Sequence, residues 1–529
     1  MKEREFHLCR EPWICVMEED YQIKKVTLPE ALLHAEMYLG LAGETDSQNI
    51  AILRLLLAVL HTVFSRKNEE GKDSPIEDKK EPLRRWEAIW RRGKFPENPI
   101  TDYFHQWEDR FWLFDSEYPF YQVPGIEGTI NPAKKMNGAL VESNNKVQLF
   151  SMKNGKEKEV LSYDEAARWL VYLQAFGDTA AKKPSPKLCW VGGLGVVAAK
   201  GETLFETLML NLTLLKDGNY LWKEPKPVWE RKKPAVEKLK EIPQPNNQPE
   251  ILSMQCRRVL LLREDDKVNS FVEAAGEYLE KESAFSEQMT FWTKKTKGAN
   301  VLEFYPKVHD QARQMWRDFS VLMGKNGHMP GVVSWVSKLK SREILSRDFF
   351  ISFQIVGVEY GSMFCGITDE FSDSLQFHAN LLEELGEKWQ RHIETEISRC
   401  DEYAKAVGRL AASLDKAIGG DGVEAERNAK EQSYYRLDVP FRQWLLEVDP
   451  EQNLEVQNQF RWDWRNRAKR IIKNLGQELV DQAGSIAIVG RTVTAKIKNK
   501  ETKWHYSAPE AFNYFLSELK KIDDKQSGR

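Results

Sequence analysis

The sequence predicts an α+β protein: a large mixed N-terminal domain over residues 1–370, followed by a C-terminal four-helix bundle over residues 371–529. Three observations carry this. Strand-like and helix-like runs are interspersed as far as Phe371. Beyond it the texture changes to four amphipathic segments joined by short links or a hairpin. And 529 residues with 41% hydrophobic content suffice for two to four domains with proper cores.

The elements follow in order. Residues 5–30 alternate around Trp13–Met17 and Lys25–Leu28, and Glu18-Glu19-Asp20 between them reads as a hairpin loop. Pro29 opens a short helix through Met37. Asp46-Ser47 is the expected N-cap of a strong apolar helix from Ile50 to Ser65. Asn68–Glu81 is charged and reads as an exposed loop. Aromatic stretches punctuated by Pro and Gly fill Glu81–Thr129, and a polar, Lys- and Asn-rich region follows to Lys158. Leu161–Phe176 has helical spacing, Gly177–Gly201 reads as a loop, and Leu204–Leu215 as a helix. Six prolines from Pro225 to Pro249 make an irregular connector. Val259–Leu262 and Phe349–Val358 read as strands, and Val308–Leu322 as a helix. The bundle helices are expected at Ser372–Ile418, Val423–Val448, Glu451–Gln482 and Pro509–Ile522, with a basic hairpin at Gly490–Tyr506 before the last.

Composition narrows the function classes. Lys+Arg 77 against Asp+Glu 80 leaves a net charge of −3, so any nucleic-acid contact must use local basic patches. The longest apolar run, Ile50–Phe64, is short of the ~20 residues a bilayer needs and reads as a core helix. Met1–Leu8 is charged and shows no secretory signal, so a cytoplasmic protein that does not enter a membrane is expected. The six cysteines form no CxxC pair and read as reduced thiols.

No catalytic motif is legible: neither Walker A, HExxH, GxSxG nor an EF-hand loop occurs. Gly192-Gly193-Leu194-Gly195 lacks a following GK[ST]. His309-Asp310 on an expected helix would need further metal ligands, and a solvated helix face is the plainer account. His392 and Glu396 sit one helical turn apart, as surface hydrogen-bonding pairs do. Asp369, Glu370 and Asp373 resemble first-turn charge on a helix capped by Ser372. The sequence therefore reads as non-enzymatic and without cofactor or metal. A metal-dependent nuclease or phosphohydrolase built on His309, Asp310 or the acidic cluster is the alternative.

Collinear stretches carry a family resemblance. Phe6–Ile14, Leu28–Leu32, Asn49–Leu60, Ser143–Lys146, Tyr172–Phe176, Trp190–Gly195, Leu204–Leu212, Gln255–Val259, Val356–Ser362 and Phe371–Leu375 resemble the CasA family, the large subunit of the type I-E CRISPR Cascade complex. The resemblance implies a subunit that recognises the short flanking motif (PAM) of double-stranded target DNA from the minor groove. It further implies a part in starting duplex opening and R-loop formation, and recruitment of a helicase-nuclease for antiviral defence. Implied partners are the other Cascade subunits, the CRISPR guide RNA, the target duplex and that helicase-nuclease.

The resemblance also implies three PAM elements. A loop within Gly177–Gly195 would approach the duplex, and here Asp178-Thr179-Ala180-Ala181-Lys182-Lys183 replaces a glycine run, with Lys182 and Lys183 suited to phosphates. Lys281 would reach the minor groove; a plain surface lysine is the alternative. A hairpin tip falls on Gly361-Ser362-Met363, where Ser362 can donate a hydrogen bond and Met363 would be an apolar wedge. The alternative for Met363 is a core residue.

Two stretches suit nucleic acid on their own chemistry. Lys134-Lys135, Asn144-Asn145-Lys146, Lys153, Lys156 and Lys158 form a basic region suited to an RNA handle or DNA backbone. In the third bundle helix, Phe460, Trp464, Ala468, Ile471, Leu475 and Leu479 are expected to face the core. Arg461, Arg465, Lys469 and Lys473 then form a basic stripe beside them, suited to phosphate.

Overall fold

The computed structural model describes residues 4–138, 155–179, 187–232, 240–242, 244–281, 284–298, 300–325, 327–364, 366–497 and 500–527. They pack as two units. One comprises Met1–Gln311, Val321–Arg347 and Ile351–Ser374; the other comprises Ala312–Ser320, Asp348–Phe350 and Leu375–Arg529.

In the first unit the period-two pattern near the start becomes strand β1 (Ile14–Glu18) paired antiparallel with β2 (Ile23–Val26), in the register Ile14↔Val26. Tyr38–Leu41 adds a third strand on the other side of β1. The short helix Leu28–Leu33 starts on a capping box, with Thr27 Oγ1 accepting from Glu30 N and the Glu30 carboxylate accepting from Thr27 N.

Helix α1 (Asp46–Arg66) is the apolar run expected from the sequence, long and apolar enough to cross a bilayer yet almost wholly buried inside the protein. Its cap is one residue earlier than expected: Thr45 Oγ1 accepts from Gln48 N at 3.1 Å. Arg54 in its middle is buried against Glu287, with Nη1 and Nη2 each donating at 3.0 Å to one of the two carboxylate oxygens. Glu287 also accepts from Trp190 Nε1 at 2.8 Å and from Met289 N at 2.9 Å. Burial pushes the Glu287 carboxyl up, but the Arg54 charge and these donors outweigh it, and the group sits below the usual carboxylate value.

Helix α2 (Tyr163–Phe176) packs on α1. Part of the expected 177–201 loop is instead strand β3 (Val196–Lys200), buried but for Lys200. An unbroken Val-Val-Ala-Ala run bears no alternation because both of its faces are covered. Strand β3 pairs with β6 (Phe350–Tyr360), which forms a long hairpin with β7 (Ile367–His378) in the order β7-β6-β3. Strands β4 (Arg257–Glu264) and β5 (Lys267–Ala275) form a second hairpin, with Thr129–Pro132 on the outer side of β5.

The expected helix 308–322 is overturned: only a 3-10 turn at Met315–Asp318 and a short turn at Phe319–Leu322 are helical. His309 lies off any helix, is 8% exposed, and hydrogen-bonds Val196 O at 2.7 Å while its ring meets Phe291 edge-on. The helix expected from Ser372 is also overturned, since Ser372 lies within β7.

The second unit contains helices α3 (Glu387–Ile418), α4 (Val423–Leu446), α5 (Leu454–Gln482) and α6 (Ala508–Ser527). Helices α3 and α5 touch across the middle, and each also packs against α4 and α6. The basic hairpin Arg491–Ile497 with Lys500–Tyr506 precedes α6, after a short helix Gly484–Val489. On α5 the buried set is Gln457, Trp464, Ala468, Ile472, Leu475 and Gly476. Ile472 thus replaces Ile471 in the core, because Trp464, Ala468 and Ile472 keep a strict four-residue step. At Gly476 the Phe515 ring of α6 lies close against the backbone: a Cβ there would stand 2.3 Å from it.

Candidate nucleic-acid interface

The β6–β7 hairpin ends in a turn from Gly361 to Gly366, closed by Gly361 N donating to Gly366 O at 2.9 Å. Within it Met363 and Phe364 both adopt left-handed backbone angles, each with φ 58°. Such angles cost a non-glycine residue roughly 1–2 kcal/mol each. Met363 is 84% and Phe364 58% exposed, so neither belongs to a core. Ser362 is exposed beside them.

The end of α2 and the segment after it run alongside this hairpin. Tyr360 donates its hydroxyl to Phe176 O at 2.8 Å, and burial pushes that hydroxyl well above its ordinary pKa, so it remains a donor. Gly366 N donates to Asp178 Oδ2 at 2.6 Å. Thr179 N donates to Phe364 O at 3.0 Å, and Thr179 Oγ1 lies 2.6 Å from Met363 O. The chain on both sides of residues 180–186 is tied to one buried side chain. Arg257 Nη2 donates to Gly177 O at 3.1 Å, to Lys187 O at 2.9 Å and to Asp178 O.

The Gly192-Gly193 pair brings in the third element. A Cβ on Gly192 would stand 2.0 Å from the Tyr360 hydroxyl, and one on Gly193 would stand 2.9 Å from Lys281 Cε. Only glycine permits both approaches. The hairpin carrying Gly361, Ser362 and Met363, the segment starting at Gly177, and Lys281 are therefore brought together on the first unit. Lys182 and Lys183 lie outside the described residues, as do Asn144, Asn145, Lys146 and Lys153. Of the other expected loop cations, Lys134 pairs with Glu159 at 3.0 Å, and Lys156 and Lys158 lie on the turn Gly155–Glu159.

Sequence reasoning placed Thr179 in the loop expected near the duplex but gave its side chain no role, and it missed Phe364. A Thr two residues after a helix-ending glycine bears no motif. Phe364 reads as one more apolar residue until its backbone angles turn it outward.

The basic stripe lies in the second unit, on α5. Arg465 donates to Glu396 Oε1 from Nε at 2.9 Å and from Nη2 at 2.7 Å, while Arg461 stands 3.6 Å from the same oxygen. Arg399 donates to Glu396 Oε2 at 3.0 Å. Lys469 pairs with Asp523, which also accepts from Tyr403 at 2.8 Å. Arg399, Arg461, Arg465 and Lys469 thus face two carboxylates, Glu396 and Asp523, which leaves an excess of two positive charges. Lys473 is exposed at the end of the stripe. The expected His392–Glu396 surface pair is corrected, since Glu396 is fully buried and committed to the arginines. Burial and then the nearby Arg461 charge lower His392 to about 4.

The acidic cluster is likewise corrected. Asp369, Glu370 and Asp373 lie on β7, not in a first helical turn. Glu370 accepts from Ser47 N at 2.7 Å and Ser47 Oγ at 2.8 Å, and Ser372 donates to Asp46 Oδ2, so both serve the start of α1. Among the described residues, no group of three or more His, Cys, Asp or Glu is placed to hold a metal ion.

Known proteins match this chain over most of its length. The family model for CRISPR-associated protein Cse1 matches residues 7–475. The CRISPR-associated protein CasA/Cse1 of Thermus thermophilus is 30% identical over 433 residues, covering 79% of each chain. Among solved structures, Thermobifida fusca Cse1 superposes with a TM-score of 0.82 at 27% identity, covering 98% of both chains. Acidimicrobium ferrooxidans Cse1 superposes with a TM-score of 0.77 at 23% identity, covering 98% of this chain and 99% of that one. With a family model spanning the chain from His7 to Leu475 in α5, and a relative of that identity and coverage, this chain belongs to the CRISPR-associated protein Cse1 (CasA) family.

Proposed function

We propose that this chain is the large subunit of a type I-E Cascade complex, and that it reads the PAM of a double-stranded target from the minor groove. Members of the family are non-catalytic, which fits a binding role. The observation that carries the reading is the convergence of the exposed Ser362-Met363 tip, the segment from Gly177, and Lys281 against Gly193. A polar donor, an apolar wedge and a cation gathered close together match what minor-groove readers use to read and unstack a base step.

In this reading the first unit, close to residues 1–370, recognises the PAM and anchors the subunit beside the guide RNA, through Asn144, Asn145 and Lys146. The bundle, close to 371–529, holds nucleic-acid backbone along Arg461, Arg465, Lys469 and Lys473, an assignment supported by the excess positive charge there. The further partners are the other Cascade subunits and a helicase-nuclease recruited after R-loop formation, in the cytoplasm.

The test is to assemble the complex on its guide with and without this chain, and to measure affinity for targets with and without the PAM. The expected result is a PAM-dependent affinity that vanishes without the chain. Equal affinities in all four combinations overturn the reading. No specific observation favours a nuclease.

A further inference from the structure

We propose that Phe364 joins Met363 in a two-residue apolar wedge, and that Thr179 sets the conformation that points both outward. The proposal rests on the PAM-reading function above and extends it to Phe364, which that reading does not use, and to a specific role for the Thr179 hydroxyl.

Two adjacent non-glycine residues in the left-handed region are uncommon, and a bulky Phe there is more so. The surroundings must supply what the backbone angles cost. Here they do so at the two carbonyls concerned. Phe364 O accepts from Thr179 N at 3.0 Å, and Thr179 Oγ1 stands 2.6 Å from Met363 O and 3.1 Å from Phe364 O. Asp178, the neighbouring residue, accepts from Gly366 N at 2.6 Å and secures the far side of the same turn. Phe364 N in turn donates to Gly361 O at 3.0 Å.

The product of these bonds is a thioether and an aromatic ring side by side at a hairpin tip, more than half exposed. Burying such groups in a core would be the cheaper arrangement, so a tip held in strain to expose them points to a partner surface. The ring of Phe364 meets that of Tyr360 in a T-shaped contact with 6.4 Å between centroids. The occupant that matches a flat apolar ring beside a flexible thioether is an unstacked base step. Apolar side chains enter such steps, and an aromatic face stacks on any base. Met363 fills the gap and Phe364 covers the exposed base.

The experiment uses the full complex with its guide RNA and follows R-loop formation on closed duplex, and on duplex pre-opened by mismatches beside the PAM. Variants are Met363→Ala, Phe364→Ala, Phe364→Leu, Thr179→Val and Thr179→Ser, each checked for an unchanged melting temperature. Phe364→Ala is expected to slow R-loop formation about tenfold or more on closed duplex and about twofold or less on pre-opened duplex. Phe364→Leu should recover part of the loss. Thr179→Val, which removes only the hydroxyl donor, should give a severalfold loss on closed duplex, and Thr179→Ser should restore the rate.

Phe364→Ala at the wild-type rate on closed duplex, or equally slow on both substrates, overturns the two-residue wedge. Thr179→Val at the wild-type rate, or Thr179→Ser as slow as Thr179→Val, overturns the role of the hydroxyl. If Met363→Ala and Phe364→Ala are both indistinguishable from wild type, the hairpin reading itself falls. If Met363→Ala alone is slow, that reading stands and only Phe364 is excluded.

Discussion

Glu396, fully buried on α3, takes two hydrogen bonds from Arg465 on α5, at 2.9 and 2.7 Å. With Arg461 beside the same carboxylate and Lys469 paired to Asp523, three of the four stripe cations have a structural duty in addition to any phosphate they meet. Arg465→Ala leaves the carboxylate with Arg399 and the more distant Arg461. It should destabilise the second unit by about 1–3 kcal/mol, read as a lower melting temperature.

Lys473 separates the two roles, because it is exposed at the end of the same stripe. Lys473→Glu should leave the melting temperature within about a degree and weaken target binding alike for every PAM, since phosphate contacts position without specifying. Repeating the titration between roughly 50 and 200 mM salt should show a shallower salt dependence than wild type. A loss confined to one PAM would show that Lys473 reads bases.

The Arg54–Glu287 pair supports Trp190, whose indole bonds the same carboxylate just before Gly192-Gly193. Arg54→Met should cost about 3–5 kcal/mol at neutral pH, because it leaves a buried carboxylate without its charge partner. The pH dependence has opposite signs in the two proteins. In wild type the Glu287 pKa lies below its unfolded value, so its contribution is present above that value and is lost as pH falls through the folded one. In Arg54→Met only burial and neutral donors remain, the folded pKa rises, and acid relieves the penalty. The gap in melting temperature between the two proteins should narrow from pH 7 to about pH 4; a constant gap would refute the account.

Gly192 and Gly193 face neighbours of different mobility. Gly192→Ala drives a methyl into the Tyr360 hydroxyl and should break its bond to Phe176, lowering both thermal stability and PAM-dependent binding. Gly193→Ala meets only the far end of Lys281, which can move, so stability should hold while PAM-dependent affinity drops severalfold. Lys281→Ala should show the same affinity loss, and adding it to Gly193→Ala should add little.

Ser362 and Met363 should separate by substrate. Met363→Ala, at an 84% exposed position, should melt like wild type and be impaired on closed duplex more than on pre-opened duplex. Ser362→Ala should weaken PAM-dependent binding on both. A much lower melting temperature for Met363→Ala would mark it as a packing residue.

Periodicity and capping chemistry determined by themselves the β1–β2 hairpin, the apolar helix α1, the α2 helix and the long helices α4 to α6, because each is stabilised chiefly by its own pattern of buried positions. The collinear motifs identified the family, and the hairpin tip at Gly361–Met363 was legible from them. Tertiary structure alone decided what the remaining polar residues do. Ser372 and Glu370 carry the signature of a local helix start, yet they serve α1, more than 320 residues away in sequence. Val196–Lys200 lacks alternation because both faces are covered, so its strand character depended on β6. Thr179 and Met363 are 184 residues apart, and the bond that shapes the tip exists only because α2 ends beside β6. A hydrogen bond between distant segments leaves no period in either of them. Local pattern therefore specifies elements, while the side chains that join elements are specified only by where the fold delivers their partners.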